Sequence, residues 1–300
     1  MPNDCMGRPG DRSRSETPGN PPPDSFVMLH VPGAKGTGGT TIQVAKRFEA
    51  AIARVGDFDA LAKLGEPLPG RRGRARGRVA TLEGHSERLY LRPARHGGAL
   101  GFLWRGGFLG TRRARHELEV AQRLRQRGAE VSEPVLAATR RRGALFEAII
   151  ATVYIENSLD LEGYARETSS PGQQRQVAAT LGRCLRRFHD VGGTHPDLHA
   201  GNLMIENSGE DARAWIIDLD RARVRDRVSP RRRMREIMRL HRSLEKRGLK
   251  EGLGRDRLAA FWAAYVDSDR KLRAQLLSHR AREWRRTQRH RILWSPARND

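Results

Sequence analysis

The stretch that most constrains this chain is HPDLHAGNLMI, residues 195–205, followed at short range by WIIDLD, residues 215–220. The first places Asp197 and Asn202 in a D-x-x-x-x-N spacing, after a helical run and before an apolar one. The second is a short apolar strand ending on Asp218. Together they offer two carboxylates and a carboxamide from one hairpin. Those groups suit a carboxylate that orients a hydroxyl and takes its proton, beside hard oxygen ligands that hold Mg²⁺ against phosphates. The D-x-x-x-x-N spacing alone is common by chance. The apolar triplet after it and the strand-borne Asp218 make the combination specific. The bland alternative is a turn Asp that caps a helix and an Asn in a loop.

Composition bounds the rest. Three hundred residues suffice for one large domain or two lobes with a sizeable core. The formal net charge is +22, and residues 221–300 hold 25 Lys and Arg against 9 Asp and Glu, so +16 of it sits there. Basic faces meet phosphates of nucleic acid, anionic lipid or nucleotide. Part of the excess also reads as Arg serving as an ordinary solvated charge. Cys5 and Cys184 are too few and too far apart for a disulfide framework or a zinc site, so a reducing compartment is expected. Cys184 falls in a helical pattern and reads as a small core residue. The N-terminus has no apolar region of the signal-peptide kind. No apolar run approaches the roughly eighteen residues needed to span a membrane. The expectation is a cytoplasmic protein whose membrane contact, if any, is peripheral.

Along the chain, residues 1–24 carry almost nothing apolar and read as a disordered tail. Residues 25–65 read as an N-terminal extension, with a strand over 26–31 and helical spacing over 44–55. The run GAKGTGGTT, residues 33–41, tempts a phosphate-loop reading, but Gly39 stands where that loop needs Lys. A plain loop is the better reading. Gly70, Gly73 and Gly77 then feed a hairpin with strands over 79–82 and 88–92. Such a hairpin covers nucleotide phosphates with backbone N–H groups, although by itself the segment reads as an Arg-Gly surface loop. Alternation in the second strand lets Arg92 point into a cleft. The helix over 111–127 carries Glu117 where a partner for such a strand residue belongs, and Gly128 ends it. Strands over 131–135 and 144–153 lead to a polar crossover, 154–159, suited to face an adenine with its backbone. An amphipathic helix spans 173–192. Arg-rich helices follow over 230–249 and 255–284. Strands first and helices later give an α+β, two-lobed layout.

With these residues in hand, the chain resembles the Kdo kinase and lipopolysaccharide-core kinase family of Gram-negative bacteria, a branch of the protein-kinase-like fold. The resemblance covers roughly residues 66–250. It rests on YLRPARHGG (90–98), RHEL (115–118), HDVGGTHPDLHAGNL (189–203), IDLDRAR (217–223) and MRLHRSLEK (238–246). It implies a small β-rich N-lobe over 66–155 and a helical C-lobe over 156–300 that ends in basic helices. It implies Asp197 as the catalytic carboxylate, Asn202 and Asp218 as Mg²⁺ ligands, and Arg92 with partner Glu117 gripping ATP. Gly73 and Gly77 fall in the phosphate-covering segment. The implied acceptor is Kdo on a lipid A precursor at the inner face of the cytoplasmic membrane, which suits a basic C-terminal third. Asp220, at the place of the usual kinase Gly, has two readings: a metal ligand, or a salt bridge to Arg221 or Arg223.

The departures narrow the substrate. Arg92 replaces a Lys, and the two cations differ in shape and donors. Pro196 occupies the place of the Arg that docks a phosphorylated activation loop, and nothing like A-P-E follows Asp218. These point away from a regulated protein kinase and toward a sugar or glycolipid acceptor. His195 and His199, in a loop, read as hydrogen-bonded braces of Asp197 and not as a metal pair. Three alternatives stay open: a heptose or aminoglycoside-type phosphotransferase, a pseudokinase, and a basic nucleic-acid-binding protein. Against the last, aromatics are only 6% of the chain and no nucleic-acid recognition motif interleaves them with the charge.

Overall fold

A computed structural model of the chain describes residues 25–33, 38–68, 77–94, 110–167, 170–206, 212–249 and 254–292. The expected tail over 1–24, Gly70, Gly73 and the H-G-G run lie outside the described residues. Two strands come first, β1 (Phe26–Val31) and β2 (Thr40–Ala45), then helices α1 (Glu49–Val55) and α2 (Phe58–Lys63). The hairpin strands follow: β3 (Glu66–Leu68), β4 (Gly77–Thr81) and β5 (Arg88–Pro93). Helix α3 (Arg112–Gln126) precedes β6 (Pro134–Arg142) and β7 (Leu145–Val153). These seven strands form one antiparallel sheet in the order β1-β2-β6-β7-β5-β4-β3.

Period-two burial explains why that sheet is covered on both faces. Leu136, Ala138, Ile149 and Ala151 share a core with Ile42, Phe48, Ile52 and Leu61 from β2, the following turn and the two short helices. The intervening Ala137, Ala148 and Ile150 instead meet Ala114 and Leu118 of α3. Alternate side chains on one strand point to opposite faces, so both layers come from the same strands.

The expected extension supplies two strands of this same sheet. Its β2 pairs with β6, with Ile42 opposite Ala138, a partner nearly a hundred residues away that no local pattern reveals. The helix expected over 44–55 begins only at Glu49. Val44 is a strand residue, and it shares a core with Phe48 and Ile52, which produced a helix-like spacing across a strand-to-helix junction. The strand expected over 131–135 starts at Pro134 and runs on to Arg142. Val131 makes only an isolated bridge, to Ile216.

The second lobe begins at β8 (Ser158–Asp160), followed by α4 (Leu161–Tyr164) and α5 (Pro171–Asp190). Ser170 and Gln173 form a reciprocal cap at the start of α5, with Pro171 in its first turn. That is a strong stop-and-start signal in the sequence. Short strands β9 (Gly193–Thr194), β10 (Leu203–Glu206), β11 (Arg213–Ile216) and β12 (Arg223–Val224) carry the hairpin, and α6 (Pro230–Lys246), α7 (Arg255–Val266) and α8 (Arg270–Ile292) close the lobe. The helix expected over 255–284 is therefore two. Asp267 at φ +46° breaks it. Gly182 lets α7 approach α5 closely, since a Cβ there would lie 2.4 Å from the Phe261 carbonyl oxygen. Leu181, Leu185, Phe188, Leu203, Ile205, Ile216 and Tyr265 fill the lobe's core, with Cys184 buried among them as expected. A cavity of about 730 Å³ lies among α4 to α8, lined by Tyr164, Leu181, Met238, Phe261 and Trp262 among others. Among the described residues no helix is long and apolar enough to cross a membrane.

Candidate active site

The loop between β9 and β10 holds its own shape. Asp197 N–H donates to His195 Nδ1 at 3.3 Å, and the other ring nitrogen of His195 lies 3.3 Å from the Ile217 carbonyl oxygen. His199 Nδ1 accepts from Gly201 N–H at 3.1 Å. Both histidines brace the loop. Burial pushes the His199 imidazole below its ordinary value, against the opposing charge of Asp197 and, more weakly, of Asp218. The charges of both carboxylates thus act on one ring. Asn202 Nδ2 donates to the Asp197 carbonyl at 3.1 Å, and Ile217 N–H donates to the Asn202 carbonyl at 3.0 Å. The D-x-x-x-x-N spacing is therefore stitched to the strand that ends before Asp218.

Asp218 stands at φ +60°, ψ +60°, left-handed, and starts a tight turn over Leu219–Arg221. Non-glycine residues rarely adopt that region, although Asp tolerates it better than most. Such outliers concentrate at functional sites.

The two lobes meet at this carboxylate. From β5, Arg92 Nη2 lies 2.7 Å from Glu117 Oε1, 2.9 Å from its Oε2 and 2.8 Å from Asp218 Oδ1. Burial opposes charge on Arg92, but the Coulomb fields of Glu117 and Asp218 outweigh it and hold the guanidinium above its ordinary value. Glu117 is almost fully buried, and burial raises its pKa despite Arg92. Helix α3 is latched to the segment after Asp218 twice more. Arg113 pairs with Asp220, and His116 Nε2 lies 3.0 Å from the Ala222 carbonyl oxygen. Asp220 is thus an interlobe tie to Arg113, in place of the expected partners Arg221 or Arg223. A contact across 107 positions has no local signal.

Sequence reasoning missed what supports the loop from behind. Helix α6 presents Glu236, Arg239 and Ser243 along one stripe, at the three- and four-residue intervals that share a helix face. Buried Glu236 accepts from His195 N–H at 2.9 Å, and Ser243 Oγ accepts from Ala200 N–H at 2.8 Å. Between them Arg239 Nη1 approaches Asp197 Oδ1 at 3.5 Å. The same Glu236 oxygen lies 3.3 Å from His189 Nε2, and His189 Nδ1 lies 2.7 Å from the Tyr265 hydroxyl. Arg239 and Ser243 lie within MRLHRSLEK and Glu236 two residues before it; the spacing was visible, but the target was not.

Gly77 has a packing reason of its own. A Cβ there would lie 2.4 Å from the Leu91 carbonyl oxygen and 2.6 Å from the Tyr90 ring. That accounts for the glycine without any ligand. The crossover after β7 spends part of its backbone internally. Tyr154 N–H donates to the Arg88 carbonyl at 2.7 Å, and Ile155 C=O accepts from Ser158 Oγ at 2.6 Å. An adenine would have to use the groups that remain.

The donors expected for Mg²⁺ fit that ion. Nδ2 of Asn202 is committed to Asp197, so its amide oxygen is the atom left for a cation. The Asp218 carboxylate is half-exposed. Carboxylate and amide oxygens are the hard ligands Mg²⁺ prefers, usually only one or two per protein beside phosphate and water.

A β-sheet lobe and a helical lobe, joined by a strand cation, a helix Glu and a left-handed Asp opposite a braced D-x-x-x-x-N loop, define the protein-kinase-like class. A solved structure described as WaaP in complex with acyl carrier protein has the same fold, with a TM-score of 0.58 over 85% of this chain and 99% of that one, at 22% identity. The model of the lipopolysaccharide kinase (Kdo/WaaP) family matches residues 68–265, and the chain belongs to that family. Relatives named 3-deoxy-D-manno-octulosonic acid (Kdo) kinase include that of Haemophilus influenzae strain PittEE, 29% identical over 58% of this chain and 75% of the relative. That of Vibrio cholerae is 29% identical over 54% and 68%. That of Xanthomonas oryzae is 34% identical over 50% of this chain, a match spanning 57% of the relative.

Proposed function

We propose that this protein transfers the γ-phosphoryl group of ATP to a hydroxyl of Kdo on a lipid A precursor. The observation that carries the reading is the junction of Arg92, Glu117 and Asp218 opposite the exposed Asp197 carboxylate. Asp197 orients the acceptor hydroxyl and takes its proton. The acceptor oxygen attacks the γ-phosphorus, the bridging P–O bond breaks, and its electron pair leaves with ADP. Arg92 offsets charge on the phosphates. Asn202 and Asp218 would hold Mg²⁺, which when bound screens the phosphate charge. Positioning and electrostatics supply most of the rate in this chemistry.

The test is phosphotransfer from labelled ATP to a Kdo-bearing lipid A precursor, wild type beside Asp197→Ala. Mg²⁺-dependent product that Asp197→Ala abolishes supports the reading. Product that survives the substitution sinks the catalytic assignment. Transfer only to a heptose hydroxyl would keep the mechanism and change the substrate.

The excess of +16 over residues 221–300 supports peripheral attachment to the anionic inner face of the cytoplasmic membrane, where each surface cation contributes about 1 kcal/mol. No specific nucleic acid is expected as a partner. The WaaP relative's partner suggests an acyl carrier protein here too. The apolar cavity with Arg257, Arg273 and Arg280 in its lining favours it. Capture of acylated but not unacylated carrier protein would support that partner.

A further inference from the structure

Arg239 is held more rigidly than its own contact requires. Glu236, three residues before it, and Ser243, four after it, are buried and bonded to backbone N–H groups on either side of Asp197. The backbone of α6 is therefore fixed against the loop at Arg239. The head group is not. Arg239 and Asp197 are 38% and 47% exposed, and their closest approach is 3.5 Å. That exceeds the 2.7–3.2 Å of an N–H···O hydrogen bond, and an exposed pair of this kind adds little to stability. Arg242 lies one turn away on α6, where burial and then the charges of Arg239 and Arg286 disfavour its positive form while those of Glu283 and Glu245 favour it. A cation resting on the catalytic carboxylate competes with its work as a base. An acceptor that gives this cation another anion removes the competition.

The relatives' named substrate is an acid. A sugar carboxylate is the planar, two-oxygen partner that a guanidinium fork matches.

We propose that Arg239 is the acceptor-carboxylate anchor: its guanidinium leaves Asp197 for the carboxylate of the sugar acid and so sets the hydroxyl on Asp197. This rests on the reading that the acceptor is Kdo. Arg239 is then the residue that selects an acid over a neutral sugar.

The experiment compares the Kdo-bearing precursor with its counterpart carrying an amide in place of the Kdo carboxylate. Wild type, Arg239→Met and Arg239→Lys are measured for kcat and acceptor KM. Equilibrium binding of free Kdo and its amide is titrated calorimetrically alongside. Wild type is expected to favour the acid. Arg239→Met is expected to raise the acid's KM by roughly 30- to 100-fold, the scale of a lost charged hydrogen bond, with a smaller change in kcat. Its preference for acid over amide disappears, and Arg239→Lys restores part of it. A preference that persists in Arg239→Met, or equal use of both acceptors by wild type, overturns the anchor while the function reading stands. Acid-selective binding that Arg239→Met abolishes, without phosphotransfer, keeps the anchor and removes the function reading. Neither binding nor transfer overturns both.

Discussion

Arg92 donates from Nη2 to Oδ1 of Asp218 at 2.8 Å, across 126 positions of chain. The same nitrogen also reaches Glu117, so one donor group joins strand, helix and left-handed turn. The guanidinium's bonds to Glu117 and Asp218 all use Nη2, which leaves the donors on Nε and Nη1 outside this ion pair. A Lys at this position concentrates all its donors on one nitrogen, whereas the Arg keeps two nitrogens apart from the one that joins Glu117 and Asp218.

That division predicts a graded series at position 92. Arg92→Lys keeps the bridge to Glu117 and Asp218 and most of the melting temperature, but raises KM for ATP. Arg92→Met leaves two carboxylates facing each other, lowers kcat/KM on the order of 10²- to 10³-fold and lowers the melting temperature. Steady-state kinetics with ATP varied, beside thermal melts of each variant, check both.

Asp218 carries its carboxylate on a left-handed backbone. Asp218→Asn tolerates the left-handed region equally well and weakens the bond to Arg92. Transfer activity is expected to fall by at least about 10³-fold with a small change in stability. Asp218→Gly relieves roughly 1 kcal/mol of backbone strain and is equally inactive. Melts and phosphotransfer assays on the two variants separate strain from chemistry.

The buried His189 makes folding pH-dependent. Burial lowers its pKa, outweighing Glu236 from α6, while Arg233 on α6 lowers it further and Asp190 raises it. The folded ring takes up its proton at a lower pH than the unfolded ring, which binds one below about pH 6.5. The unfolded chain then holds more protons, so this contribution to stability is complete above that pH and is lost as pH falls. Urea midpoints from pH 7.5 to 5.5 should drop, and His189→Gln should flatten the slope whatever it does to absolute stability.

Gly77→Ala forces a Cβ into the Leu91 carbonyl and the Tyr90 ring. The cost is about 1–3 kcal/mol, or roughly 2–4 °C of melting temperature per kcal/mol. The packing role is read from that loss. A rise in KM for ATP larger than the melt explains would add a phosphate role.

Some of this was legible because it is local. The 3.6-residue apolar rhythm of α5 and the two-residue alternation around Arg92 are set by neighbours in sequence, whereas the cap at Ser170 was missed and the helix starts at Pro171, two residues before the expected 173. The candidate groups Asp197, Asn202 and Asp218 were found in the same way, by spacing within one hairpin. The nearby errors have a physical source too. Val44, Phe48 and Ile52 face one core from a strand, a turn and a helix, and burial periodicity does not distinguish that from one helix.

By itself, then, the sequence determined which segments are helix or strand over most of the chain, and which residue types could carry phosphoryl transfer. Only the tertiary structure decided that β1 and β2 join the sheet, that Asp220 ties to Arg113, that α6 grips the loop through Glu236 and Ser243, and that Arg239 lies over Asp197. Each of those pairs dozens of residues or more apart in the chain. Their geometry depends on which faces meet after packing, and period and capping chemistry end within a few turns of where they are written.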